Sequence, residues 1–405
     1  MKKILTVALC AATAASMCAQ KAVVEQAKKL AGKIDKIEEA RSLYNQAIQN
    51  PETANDVNTY VVAGNVEFKA YDAARQKQMI NPNDKSVDPM LMATNILNGY
   101  NMYMRALPLD SLPNEKGEVK AKNSKHIISQ LQGKFNEYFN AGGTFYNEKK
   151  FYPEAYEAFM AYGTFPSTPY ATKNIQAVPD SVINQAFFYA GLSGYAGKKL
   201  PEAAKAFKAA RENGYDNPQS YIYEIACWQN MALDDPALED KAKVEIEKIA
   251  MAGYDKFGMS QPLFINNLVN SYVQEGRMAE ATQVVQNQID KTPDNPALYG
   301  LMGYVLDRQD DHEGSVAAYR KAISFDNADF ETLRNAARKL YNEGTVKWDA
   351  IQGNNRAAQM EVKNNYFDVA KAAAERAKVL NPDSDIDSVL ERIDYVLTQY
   401  FPAAK

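Results

Sequence analysis

Two adjacent windows of 34 residues, Pro262–Asn295 and Pro296–Asp329, repeat one spacing of apolar and small side chains. The first sets Ile265, Leu268, Val269, Tyr272, Ala281 and Val285 at the offsets where the second sets Tyr299, Met302, Gly303, Leu306, Ser315 and Tyr319. Within each window these positions fall three and four apart, as on one face of a helix, and they do so twice with a break between. A unit this small is a helix pair that cannot bury its apolar face alone, so neighbouring units must stack. The spacing predicts a chain built by repetition, with a core extended unit by unit.

The same pattern recurs along most of the chain. Residues 136–166 carry Phe139, Gly142, Gly143, Tyr146, Ala155, Phe159 and Tyr162, and residues 184–217 carry Phe187, Ala190, Gly191, Ala203, Phe207 and Ala210. From Pro218 the fit loosens, with Tyr221, Ile225 and Trp228 on one helix and Ala242, Ile246 and Ile249 on the next. Ile37, Ala40, Tyr44 and Ala47 read as the second helix of a pair that Pro51 closes. Tyr60, Ala63 and Gly64 then open a first helix whose partner is expected from Asp88 to Leu107. Small residues sit where two helices cross closely, and large ones a turn away.

The irregular parts are few. Pro108–Asn123 and Phe165–Asp180 are broken by Pro and polar residues. After Phe330 the pattern restarts at Leu333, Ala336, Ala337 and Leu340, is interrupted, and resumes at Phe367, Ala370, Ala374 and Ala377. Two elongated helices are expected there. Ile386, Val389, Leu390, Ile393, Val396 and Leu397 form one helical face, expected to cap the stack. The expected organisation is a signal peptide at 1–19, N-terminal helical repeats at 20–120, and a solenoid at 121–405. That solenoid holds an insert near 341–362 and a capping helix at 385–400.

These residues resemble the tetratricopeptide repeat (TPR) superfamily over nearly the whole chain beyond the signal, most strongly at 262–329. Val269 and Ala337 stand where that family often has Gly, and Ser315 where it has Ala. Stretches such as EARSLYNQAIQNPETAND and KLYNEGTVKWDA are similar to secreted bacterial TPR proteins of undefined role. The resemblance implies an all-α fold, a right-handed TPR-type α-solenoid of antiparallel helix pairs. It also implies that a protein or peptide partner is held in the groove lined by the first helix of each pair. Projected onto this chain, that groove takes in Asn266, Asn270, Gln274, Tyr304, Arg308, Arg334 and Arg338. Asn140, Thr144, Asn147, Phe188, Leu192 and Tyr195 are the counterparts in earlier repeats. The family's carboxylate clamp of Lys, Asn and Arg is not reproduced. Of its five positions only Asn270 matches, while Asn266, Leu301, Glu331 and Asn335 differ.

The N-terminus reads as a secretory signal: Lys2 and Lys3, an apolar run from Ile4 to Ala15, then small residues with cleavage after Ala19. A lipoprotein reading would use Cys18, but Met17 precedes it where a small residue is wanted. The expected location is therefore the periplasm after export, including an outer-membrane association, with no later membrane span. Removing 1–19 takes away two lysines and no acid and moves the net charge from −4 to −6. That balance and export both argue against a nucleic-acid partner. Cys10 and Cys18 leave with the signal, so Cys227 has no intramolecular disulfide partner and reads as a buried structural thiol.

Catalytic signatures are missing: no HExxH, phosphate-binding loop or dinucleotide fingerprint. With two His, and one Cys beyond the signal, acid–base and nucleophilic constellations have little to draw on. No enzyme, no cofactor and no metal are expected. Arg308, Arg334 and Arg338 are candidates to hold a carboxylate, phosphate or sulfate, set against their neutralisation by Asp307 and Glu331. The acids of Asp383–Asp394 read as helix capping in preference to a calcium loop, and Asp307–Glu313 as a solvated turn. Trp348 either anchors a partner or packs on its neighbours. The leading expectation is a non-enzymatic scaffold of the bacterial envelope. A SusD-like extracellular glycan-binding protein is the alternative.

Overall fold

The computed structural model describes residues 21–113, 116–382 and 384–401; the expected signal peptide, with Cys10 and Cys18, lies outside them. The described residues form helices joined mostly by short turns, with longer connections before Ser124 and before Asp180, the second holding a single helical turn at Lys173–Gln176. They hold no strand, only an isolated bridge between Pro113 and Val119. The chain divides into two compact units, 1–242 and 243–405.

The first unit opens with helical residues 21–30. It then runs through α1 (Ile37–Gln49), α2 (Val57–Ile80), α3 (Pro89–Asp110), α4 (Ser124–Gly133), α5 (Phe135–Asn147), α6 (Tyr152–Thr164), α7 (Asp180–Ala196), α8 (Leu200–Glu212) and α9 (Pro218–Asp234). The division between units falls within α10 (Glu239–Phe257). The second unit continues with α11 (Pro262–Gln274), α12 (Met278–Lys291), α13 (Pro296–Arg308), α14 (His312–Ile323), α15 (Phe330–Asp349), α16 (Arg356–Val362), α17 (Asp368–Leu380) and α18 (Ile386–Tyr400).

Helix starts are written locally. Asp88, Asn217 and Asn295 each precede a Pro, and each side chain accepts the backbone N–H two residues on. The proline supplies the fixed φ of a first turn and has no N–H to leave unsatisfied. Four of the turns from first to second helix pass through a left-handed residue at one repeat position: Lys149, Lys198, Gly276 and Asp310, with φ of 54°, 57°, 73° and 60°. Only Gly276 is the residue that such backbone favours.

Within each unit successive helices pack on one another, and alternate helices touch along one side: α5 on α7, α11 on α13, α13 on α15. The crossings explain the small residues. A Cβ on Gly191 would stand 2.5 Å from the Phe207 ring, and one on Gly303 2.8 Å from the Tyr319 ring. Val269 occupies the Gly303 position one repeat earlier, and there the partner position holds Val285, also fully buried. Volume is exchanged between the two helices and the crossing is kept.

The core of the first unit runs without a break from Tyr60 to Ala206, and the 111–123 segment lies within this unit. It holds a buried charge. Glu67, fully buried, accepts from Arg41 at 2.9 Å on both oxygens and from the Tyr44 hydroxyl at 2.5 Å. In the second unit the expected insert folds as two elongated helices. α15 extends for 20 residues. Its partner runs from α16 to α17 through a π-helical turn at Lys363–Phe367. Trp348 packs on Phe367, Tyr400 and Phe401, with ring centroids 6.4, 5.1 and 5.2 Å away. It fastens α15 to the end of the capping helix, as the packing alternative required. No described helix is long and apolar enough to cross a membrane.

Candidate functional site

The first helices α11, α13 and α15 together wall a groove of about 440 Å³. Pro262, Ala297 and Leu301 contribute its accessible apolar surface, over the buried Ile265 and Leu298, and Tyr319 borders it from α14. Exposed amides stand along it: Asn266 and Asn270 from α11, one turn apart, and Asn335 from α15. Tyr304 adds a half-buried phenol, and Asp329, Glu331 and Thr332 close the α15 end. No Lys or Arg is among these lining residues. The wall can donate and accept hydrogen bonds without a fixed positive charge, which suits the alternating N–H and C=O groups of an extended chain.

Of the seven projected groove residues, three come together here: Asn266, Asn270 and Tyr304. Gln274 and Arg308 are exposed at the last turns of α11 and α13, outside the lining. Arg334 and Arg338 lie on the next face of α15. Arg334 forms an ion pair with Glu331, and Arg338 donates to Asp385 at 2.5 Å. The structure does not gather Arg308, Arg334 and Arg338 into one cluster within the groove lining. Asn335, Glu331 and Leu301 do line the groove. Their helical offsets place them there, although their residue types fail the clamp pattern. In the first unit Phe188, Leu192 and Tyr195 pack against the core beside Phe207 and Cys227.

The Asp307–Glu313 turn is more than a solvated turn. Asp307, His312 and Glu343 present ligand atoms within 4.8 Å of one another, a spacing a metal could use. The Lys339 ammonium, with only a tenth of its side chain exposed, joins them instead. It bonds Glu343 at 2.6 Å, contacts His312 Nδ1 at 3.1 Å and pairs with Asp307. Burial alone would lower the Lys339 pKa. The bonds from Asp307 and Glu343 outweigh burial and hold it above its ordinary value. The cation this cluster calls for is a side chain of the chain itself, and it ties α13 and α14 to α15.

The acids of Asp383–Asp394 likewise diverge onto separate partners. Asp387 pairs with Lys378 at 2.6 Å and Asp394 with Lys371 at 2.7 Å, while Asp383 lies outside the described residues. Cys227 is buried and free, its pKa pushed up to about 12 by burial and by the nearby Glu224 carboxylate. Such a thiol is an inert packing group.

Comparison with known proteins bears on the repeat. A tetratricopeptide repeat family model matches residues 296–329, the second of the two windows. No curated protein matches the chain. Among solved structures it is similar to the C-terminal part of a TPR repeat-containing protein from Cytophaga hutchinsonii, at 12% identity and a TM-score of 0.34. That alignment covers 66% of this chain and 96% of the other. It is similar also to pilF of Pseudomonas aeruginosa, at 12% identity and a TM-score of 0.33, over 65% of this chain and 98% of that one. A third is the TPR2AB domain of yeast Sti1 in complex with pHSP90, at 11% identity and a TM-score of 0.24, over 84% and 99%. The family model thus matches one tetratricopeptide repeat, and the small-to-large crossings and helix-pair construction found there recur along the described residues.

Proposed function

We propose that the chain is a non-enzymatic scaffold of the bacterial envelope that holds an extended segment of a partner protein in the groove of α11, α13 and α15. One observation carries this reading. Three neighbouring helices turn the exposed amides of Asn266, Asn270 and Asn335, with the Tyr304 phenol, into one groove that has apolar surface beneath. Paired amides hold a peptide main chain, and the apolar surface takes its side chains. Export rests on Lys2, Lys3 and the apolar run that follows. N-terminal sequencing of the protein recovered from cells tests that part, with a chain starting at Gln20 as the expected result.

The groove reading is tested by affinity purification from intact envelopes. The wild type is expected to recover a partner that the Asn266→Ala/Asn270→Ala/Asn335→Ala variant loses, while the variant keeps the wild-type melting temperature. Equal recovery by both would contradict it. The glycan-binding alternative gains little from Trp348, which is engaged with Phe367, Tyr400 and Phe401.

A further inference from the structure

Asp385 stands at the N-cap of α18, yet its carboxylate does not cap that helix. Asp56, Asp88 and Asp329, in the same position on α2, α3 and α15, all do. The Asp385 side chain reaches across to α15 instead. Its Oδ2 accepts from Arg338 at 2.5 Å, and its Oδ1 lies 3.7 Å from Arg334. The two arginines are one turn apart on one helix face. Arg334 also pairs with Glu331, and its Nε is buried without a partner. An acid is thus drawn from the place where it would stabilise its own helix onto a pair of guanidinium groups.

We propose that Arg334 and Arg338 form a binding site for a side-chain carboxylate of an acidic partner segment, and that Asp385 is its built-in stand-in. The exchange is favourable on both sides. An incoming carboxylate takes the guanidinium donors, which bind carboxylates in a fixed, directional geometry. The released Asp385 turns back to cap the orphan amides of α18. Asp385 and Arg338 are 57% and 41% exposed, so the swap opens no core. A peptide is favoured over a free ion because Asn335 and Glu331 of the groove wall lie on the same helix as the pair. A segment leaving the groove along α15 passes the arginines. The choice of a peptide rests on the groove reading; the carboxylate site itself does not.

Calorimetric titration of the full chain at low salt tests this, with an acetylated, amidated tetraglutamate peptide and its tetraglutamine counterpart as probes. The tetraglutamate is expected to bind and the tetraglutamine not. Asp385→Asn, which keeps a capping residue, is expected to tighten tetraglutamate binding roughly threefold to tenfold, and Arg338→Gln in that background to reverse the gain. Melting temperatures near wild type keep the comparison valid for these exposed residues. The proposal is overturned by equal binding of the two peptides, by no binding, or by an Asp385→Asn variant that does not tighten. Binding of inorganic phosphate without tetraglutamate would overturn it as well. If tetraglutamate fails while a partner is still lost with the three asparagines, the arginine site falls and the groove reading stands.

Discussion

At the scale of single residues, the protein depends on a few side chains whose surroundings admit no substitute. Glu67 is an ionised group in the core, tolerable only because Arg41 meets both its oxygens and Tyr44 bonds one of them. Glu67→Ala leaves the Tyr44 phenol without its partner and the Arg41 guanidinium with only Glu38 and Asn95, and is expected to cost about 3–5 kcal/mol in chemical denaturation. A loss under about 1 kcal/mol would show that water replaces the carboxylate. Gly303 is fixed by contact: its missing Cβ is the space that the Tyr319 ring fills. Gly303→Ala is expected to destabilise by about 1–3 kcal/mol, and adding Tyr319→Val, the pairing found at Val269 and Val285, to recover part of that. Additive losses in the double variant would contradict the volume exchange.

At the scale of elements, α4 shows how a helix is held by a residue outside it. Asn123 at its N-cap makes no capping bond with its own side chain. Asp110, at the end of α3, does the work from a distance. It accepts from the backbone N–H of Ser124 at 2.7 Å and of Asn123 at 2.9 Å, and from both side chains. Burial would raise the Asp110 pKa. The bonds from Ser124 and Asn123 outweigh burial and hold it below the ordinary carboxylate value. A carboxyl lowered in the folded state stabilises the fold above its unfolded pKa, and that stabilisation is lost as pH falls through the folded value. Stability measured from about pH 5 down to about pH 3 is therefore expected to fall less steeply in Asp110→Asn than in wild type, with a loss of about 1–2 kcal/mol at neutral pH. Identical acid limbs in the two proteins would contradict the assignment.

The whole molecule was unevenly legible in its sequence, for physical reasons. Helix pairs, their small-to-large crossings and the capping helix are recorded locally, in side chains three and four apart, so 262–329 reads almost directly. The elongated pair around the insert was legible for the same reason. Charge was not. That Asp385 serves Arg338 and not its own helix, or that Lys339 fills the gap between Asp307, His312 and Glu343, depends on helices up to 47 positions apart in sequence. No local spacing encodes such a pairing. The left-handed turn residues Lys149, Lys198 and Asp310 escaped notice because glycine, the usual signal, is absent there. For the groove, offset was the better guide: Asn335 and Glu331 line it although their types fit no clamp.

Site-specific photo-crosslinking in living cells tests the central claim most directly. A photoreactive phenylalanine analogue replaces Asn270 in the groove, or Gln286 on the exposed side of α12. The groove position is expected to yield a discrete adduct with one partner protein, and the α12 position none. The same adducts from both positions, or none from Asn270, would contradict a groove that holds a partner.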